Sequence, residues 1–223
     1  MTAWQVFFSG SRPGRHRPCG WILAVFLFAL AAACPAPTHA ATKTSASEPV
    51  TQVYFIRGFL GIFSTGFDSM AKDLAKRGIV AETYGHLSTS AIRARIVSQY
   101  ATTGKRKRRP IILVGHSFGG NAAFQVASQL NKDGIPVALV ITVDPTRAGP
   151  LSENVKSYVN YFFPGNGLGA ELKAKSGVPQ SRIKNTDMRK RTDVAGAGDD
   201  HWTVTHNAAI QSEIMKAVKR AAR

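Results

Sequence analysis

Residues 110–127, PIILVGHSFGGNAAFQVA, pass from an apolar run into a stretch with helical spacing through Gly115-His116-Ser117-Phe118-Gly119, with no linker between. This junction constrains the fold more than any other feature of the chain. The run 110–115 reads as a buried strand, and Phe118 to about Leu130 as a helix. Turning from strand to helix within two residues forces the two backbones together, and glycines at 115 and 119 remove side chains that would collide there. Ser117 is then held in a strained turn with its Oγ projecting beyond the strand end. It also sits at a helix N-terminus, whose dipole favours developing negative charge. The G-x-S-x-G string alone is a weak signal. Its strand-to-helix context is what points to a nucleophile rather than to a serine that only caps a helix.

The rest of the chain alternates in the same way. Strands are expected at 52–57 (QVYFIR), 79–84 (IVAETY), 136–143 (PVALVITV) and 155–163 (VKSYVNYFF), with a last short one at 181–186. Helical spacing over 66–77, 89–102 and 207–222 puts Phe67, Met70 and Leu74, then Ile92 and Ile96, then Ile210, Ile214 and Val218 on single faces. The glycine-rich stretch 164–180 is expected to be a loop with at most one short helix. Mostly apolar strands alternating with helices imply an α/β fold, a mostly parallel sheet with helices on both faces.

Residues 1–40 carry three arginines and no acid, then the apolar run WILAVFLFALAAAC at 21–34, then Thr38-His39-Ala40. That order reads as a secretory signal peptide ending near Ala40, followed by a polar linker at 41–50 and one domain at 51–223. Two alternatives stay open: an uncleaved N-terminal anchor, and a lipoprotein acylated at Cys34. Export to a periplasmic, secreted or envelope-bound location is expected in each case. Both cysteines, Cys19 and Cys34, lie in this leader, so no disulfide is expected to hold the domain and it must rely on its core.

The formal net charge is +16, and beyond residue 40 there are 26 basic against 13 acidic residues. Such a balance favours an anionic surface such as a membrane. The densest run, Lys105 to Arg109, reads as a solvated loop. No zinc spacing, RNA-binding aromatic motif or helix-turn-helix accompanies it, so no nucleic-acid partner is expected. No GxGxxG, P-loop or zinc motif appears elsewhere, so no cofactor or metal is expected either.

The elbow and the element order resemble the α/β-hydrolase superfamily over residues 52–222, in the manner of its minimal, cap-poor secreted esterases and lipases. The resemblance implies a serine hydrolase acting on a small-molecule or lipid ester, or on a thioester. A serine needs a base, an acid that orients the base, and donors for an oxyanion. Of the six histidines, His16 and His39 fall in the leader, His86 follows the second strand, and His116 adjoins Ser117 where the elbow turns side chains apart. His201 and His206 lie between the last strand and the closing helix, where the superfamily places its base. His201 is preferred because His201-Trp202-Thr203-Val204 is similar to the run found there in many such hydrolases. His206 is then a helix cap, and Asp199 and Asp200 are loop solvation.

Asp144, ending the strand VALVITVDP, is the preferred acid, with Glu171 the alternative after the next strand. The Phe118 amide is one oxyanion donor. The other is Phe59, with Leu60 close behind, because Arg57-Gly58-Phe59-Leu60-Gly61 resembles the superfamily's His-Gly-x-x-Gly loop with Arg57 in place of histidine. Arg57 is expected to pair with a structural acid. Phe59, Leu60, Ile62, Phe63, Phe118, Phe162 and Phe163 are candidates for an acyl pocket, most of them read as core. Two rival functions remain: a non-catalytic envelope protein binding anionic lipid or polymer, and an acyltransferase.

Overall fold

The computed structural model describes residues 50–165 and 168–223. The leader at 1–40, both cysteines and all but the last residue of the linker lie outside the described residues.

Six strands form one parallel sheet: β1 (Val53–Arg57), β2 (Ala81–Gly85), β3 (Ile112–His116), β4 (Leu139–Val143), β5 (Tyr158–Phe162) and β6 (Ile183–Asp187), in the order β2-β1-β3-β4-β5-β6. Four helices cover it: α1 (Gly66–Ala75), α2 (Thr89–Thr102), α3 (Phe118–Lys132) and α4 (Ala208–Ala221). The sheet class and every expected element are found. The strands at 136–143 and 155–163 are shorter than their apolar runs suggest. Val137 and Val155 meet only in an isolated bridge before the continuous β4–β5 ladder begins.

Period-two alternation divides the core. On β1, Tyr54 and Ile56 face one side of the sheet with Ile92 and Ile96 of α2 and Phe124 and Leu130 of α3. Val53 and Phe55 face the other with Phe67 and Leu74 of α1 and Ile210 and Ile214 of α4. Buried on both faces, the central strands are mostly apolar, and β3 and β4 are buried at every residue. The edge strand β2 is only partly buried and carries polar residues, with Glu82 bonded to Thr51 and Tyr84.

The chain leaves β1 through α1 toward β2, and leaves β3 through α3 in the opposite direction toward β4. The neighbours β1 and β3 therefore form the point where the sheet order reverses. In open α/β sheets, ligands bind outside the carboxyl ends of the strands at such a reversal. Ser117 stands at that end of β3 and the Gly58–Gly61 turn at that end of β1.

Closing the strand-helix turn brings α3 onto the backbone of β1. A Cβ on Gly119 would lie 2.0 Å from the Ile56 carbonyl oxygen, and one on Gly115 would lie 2.2 Å from that of Gly119. Backbone atoms cannot yield as a side chain would, so Gly119→Ala should lower stability by about 1–3 kcal/mol. Gly104→Ala, at a site with open space and a φ of −56°, should change it by less than about 0.5 kcal/mol. Urea unfolding midpoints of the two variants measure the difference.

Candidate active site

Ser117 has φ 56° and ψ −125°, a conformation that L-residues rarely adopt. It is held there by its amide, which donates to the Val143 carbonyl at 3.0 Å, and by the glycine contacts below it. The hydroxyl lies just beyond β3, before the first turn of α3. In that turn the Gly120 and Asn121 amides donate to the Ser117 carbonyl at 2.9 and 3.3 Å.

Asp144 follows β4 directly, with a positive φ of 44° that aspartate tolerates better than most residues. Its carboxylate is 0 % exposed. An unpaired buried carboxylate costs several kcal/mol, so its partners are obligatory. Oδ1 accepts from the Phe163 amide at 2.9 Å, and Oδ2 lies 2.7 Å from Nδ1 of His201. An ionised carboxylate only accepts, so Nδ1 of His201 carries a proton. In the neutral ring Nε2 is then the acceptor, and it lies 3.0 Å from Oγ of Ser117. The loop after β5 packs so tightly here that a Cβ on Gly169 would fall 1.8 Å from Asp144 Oδ1, leaving room for glycine alone.

Ser117, His201 and Asp144 are thus brought together, all three buried. The alternatives are elsewhere. His206 is exposed, with Nε2 3.3 Å from the Thr65 hydroxyl, and Glu171 is exposed in its loop. The expectation that His206 caps the closing helix is corrected. Asn207 caps α4, its side-chain oxygen accepting from the Ala209 and Ile210 amides. Asp199 and Asp200 also do more than solvate the loop. Asp200 Oδ1 accepts from the amides of Trp202 and Thr203, a turn that fixes the backbone just after His201, and Asp199 accepts from Asn207.

The Gly58–Gly61 turn lies against the serine, since a Cβ on Gly58 would be 3.0 Å from Ser117 Cβ. Leu60 and Gly61 both take positive φ, 57° and 73°, and the Gly61 amide closes the turn on the Gly58 carbonyl. Phe59 and Phe118 flank the serine with ring centroids 6.2 Å apart. Arg57 forms an ion pair with Asp68 of α1. The reading of most pocket candidates as core needs correction. Phe162 and Phe163 are buried, but Phe59, Leu60, Ile62 and Phe118 are exposed around the serine.

His116 fills a place that spacing did not reveal. It is buried beneath the site, with Nε2 2.8 Å from the His201 carbonyl oxygen and Nδ1 2.8 Å from the Ser64 hydroxyl. Both ring nitrogens are committed, so it does not serve Ser117 as a base. No sequence signal marked Ser64 or the Phe163 amide as partners.

The sheet order, its reversal between β1 and β3 and the Ser117 turn now stand together. The thioesterase-domain family profile matches residues 55–159, just under half of the chain. The six-stranded parallel sheet, covered by helices on both faces, has the arrangement of a minimal α/β-hydrolase fold. Among solved structures, the chain is similar to a protein described as a hydrolase of the alpha/beta superfamily from Xanthomonas campestris pv. campestris. The identity is 20%, over 76% of this chain and 99% of that one, with a TM-score of 0.40. The NocB thioesterase domain, in covalent complex with a fluorophosphonate nocardicin G analog, is 15% identical over 78% and 96%, with a TM-score of 0.43. The type II thioesterase BorB from the borrelidin biosynthetic cluster is 12% identical over 76% and 94%, with a TM-score of 0.44. The fold reading rests on the chain's own sheet order and Ser117 turn, not on these distant likenesses. No curated protein matches.

Burial holds His116 neutral, pushing its pKa down from 6.5 to about 4, with the nearby His201 adding to the effect. The unfolded chain therefore binds more protons between these values. The stability held above about pH 6.5 is lost as pH falls toward 4, by up to about 3 kcal/mol. Urea unfolding at pH 7 and pH 4.5 should show a larger loss for wild type than for His116→Gln, which has no ring to protonate.

Proposed function

We infer that the protein hydrolyses an ester or thioester of an apolar acyl group through an acyl-enzyme on Ser117. The observation that carries the reading is the continuous contact from Asp144 Oδ2 through the His201 ring to Ser117 Oγ, 2.7 and 3.0 Å. His201 Nε2 takes the hydroxyl proton as Oγ attacks the carbonyl carbon, and the Phe59 and Phe118 amides hold the resulting oxyanion. Collapse expels the thiolate or alkoxide, which receives the proton from His201 Nε2. Water then attacks the acyl-serine with His201 again as base, releasing the carboxylic acid and restoring the serine. Asp144 keeps the imidazole in one tautomer and stabilises its charged form. The match to the thioesterase-domain family supports this chemistry and favours thioesters within it. The leader read at 1–40 adds that the reaction takes place after export.

The apolar rim supports the choice of acyl group. Every large apolar side chain exposed among the described residues belongs to a segment following β1, β2, β3 or β6: Phe59, Leu60, Ile62, Leu87, Phe118 and Trp202. Trp202 meets the His201 ring edge-on at 4.8 Å, and His86 packs on both Phe59 and Phe118. Apolar exposure gathered around one serine is the environment an acyl chain would occupy.

A fluorophosphonate probe should label wild-type protein at Ser117 and leave Ser117→Ala unlabelled. On p-nitrophenyl butyrate, His201→Ala should lower kcat by at least about 10³-fold, whereas His206→Ala and Glu171→Ala should stay within about twofold of wild type. Labelling elsewhere, or loss of activity in His206→Ala rather than His201→Ala, would contradict the assignment. Ile62→Ser combined with Leu87→Ser should raise KM for p-nitrophenyl decanoate by about tenfold and leave acetate hydrolysis little changed.

A further inference from the structure

We propose that His116 is a positioning residue, a rigid crosspiece that holds the segment carrying His201 and the turn carrying the Phe59 amide in one register around Ser117. The inference rests on the function inferred above and concerns how its parts are held in place.

The hydrogen-bond directions follow from the partners. The His201 carbonyl oxygen can only accept, so Nε2 of His116 bears the proton and donates to it at 2.8 Å. In the neutral ring Nδ1 is then an acceptor, and the Ser64 hydroxyl donates to it at 2.8 Å. The Ser64 oxygen in turn accepts from the Gly58 amide at 3.1 Å. One unbroken line therefore runs from the Gly58 N–H through Ser64 and the His116 ring to the backbone of His201. Its ends are the residue before Phe59 and the residue proposed as base. Ser64 and His116 are both buried, so water does not compete for either group.

The middle of the line lies in the centre of the sheet. His116 is the last residue of β3, a strand paired with β1 on one side and β4 on the other, and is joined directly to Ser117. The two ends lie on loops, where a shift of about 1 Å can cost about 10²-fold in rate. The His116 and His201 rings also touch, with centroids 4.9 Å apart. A core-filling role alone would be served by an apolar side chain of similar size, without a buried imidazole whose two nitrogens must both be satisfied. His116 touches no reacting atom; it acts through the backbones it ties.

The two arms can be separated by substitution. His116→Gln can place an amide N–H near the Nε2 position and keep the arm to His201. His116→Asn reaches only toward Ser64 and loses it. With p-nitrophenyl butyrate and protein well below its melting temperature, His116→Asn should lower kcat about 10²-fold with KM nearly unchanged, and fluorophosphonate labelling of Ser117 should slow in parallel. His116→Gln should recover most of that loss although the two variants melt at similar temperatures. Should either variant fail to fold, Ser64→Ala cuts the same line at its other arm and should lower kcat at unchanged KM; wild-type kcat in Ser64→Ala would overturn the inference. Equal kcat in the Asn and Gln variants, or kcat falling only in step with melting temperature, would also overturn it. A wild type that neither hydrolyses the ester nor labels would overturn the inferred function as well. A wild type that does both, beside equal Asn and Gln variants, overturns this inference alone.

Discussion

A carboxylate with no solvent contact is the constraint around which this end of the molecule is arranged. Asp144 cannot remain ionised in the core without donors, and the fold supplies them from two directions, the Phe163 amide after β5 and the His201 ring before α4. Meeting that demand fixes the His201 tautomer and aims its other nitrogen at Ser117. Local details that would otherwise be unrelated follow from the same demand. Gly169 is needed because any side chain would strike Asp144 Oδ1, and Asp200 turns the backbone after His201 so that the ring can enter from above.

The second constraint is crowding of backbones at the sheet reversal. The turn into α3 presses Gly119 onto β1, and the Gly58 turn presses onto Ser117. Two strand ends and a helix start are therefore packed within van der Waals distance of one another. The apolar side chains Phe59, Leu60 and Phe118 on these turns are exposed. They form the rim, and the contact that specifies the turn also shapes the surface a substrate would meet.

Much of this was legible in the sequence, and the reasons differ by feature. The strand-helix alternation was clear because both faces of the sheet are covered, so each central strand is mostly apolar. Ser117 was legible because glycines on both sides of it, between an apolar run and a helical one, mark a turn too tight for an ordinary loop. Asp144 and His201 came from their place in the element order, with His206 and Glu171 open beside them; distance separates the pairs, and distance is not written in spacing. Hydrogen-bond lines such as Gly58–Ser64–His116–His201 join residues far apart in the chain and leave no periodic trace. Spacing could exclude His116 as the base of Ser117 but could not show what it does instead. The rim was misjudged as core for a related reason: apolar character predicts burial on average, and the exposed side chains of these turns depart from the average.

The account depends on Ser117 carrying the acyl group between two half-reactions. Mixing the protein with a slowly deacylating p-nitrophenyl ester, quenching in acid within the first turnover and mapping the peptides by mass spectrometry tests this directly. The account predicts the mass of one acyl group on the peptide containing Ser117, appearing with the burst of p-nitrophenol and absent from Asp144→Asn on the same timescale. Product release with no acylated peptide, or an acyl group on any other residue, would contradict it.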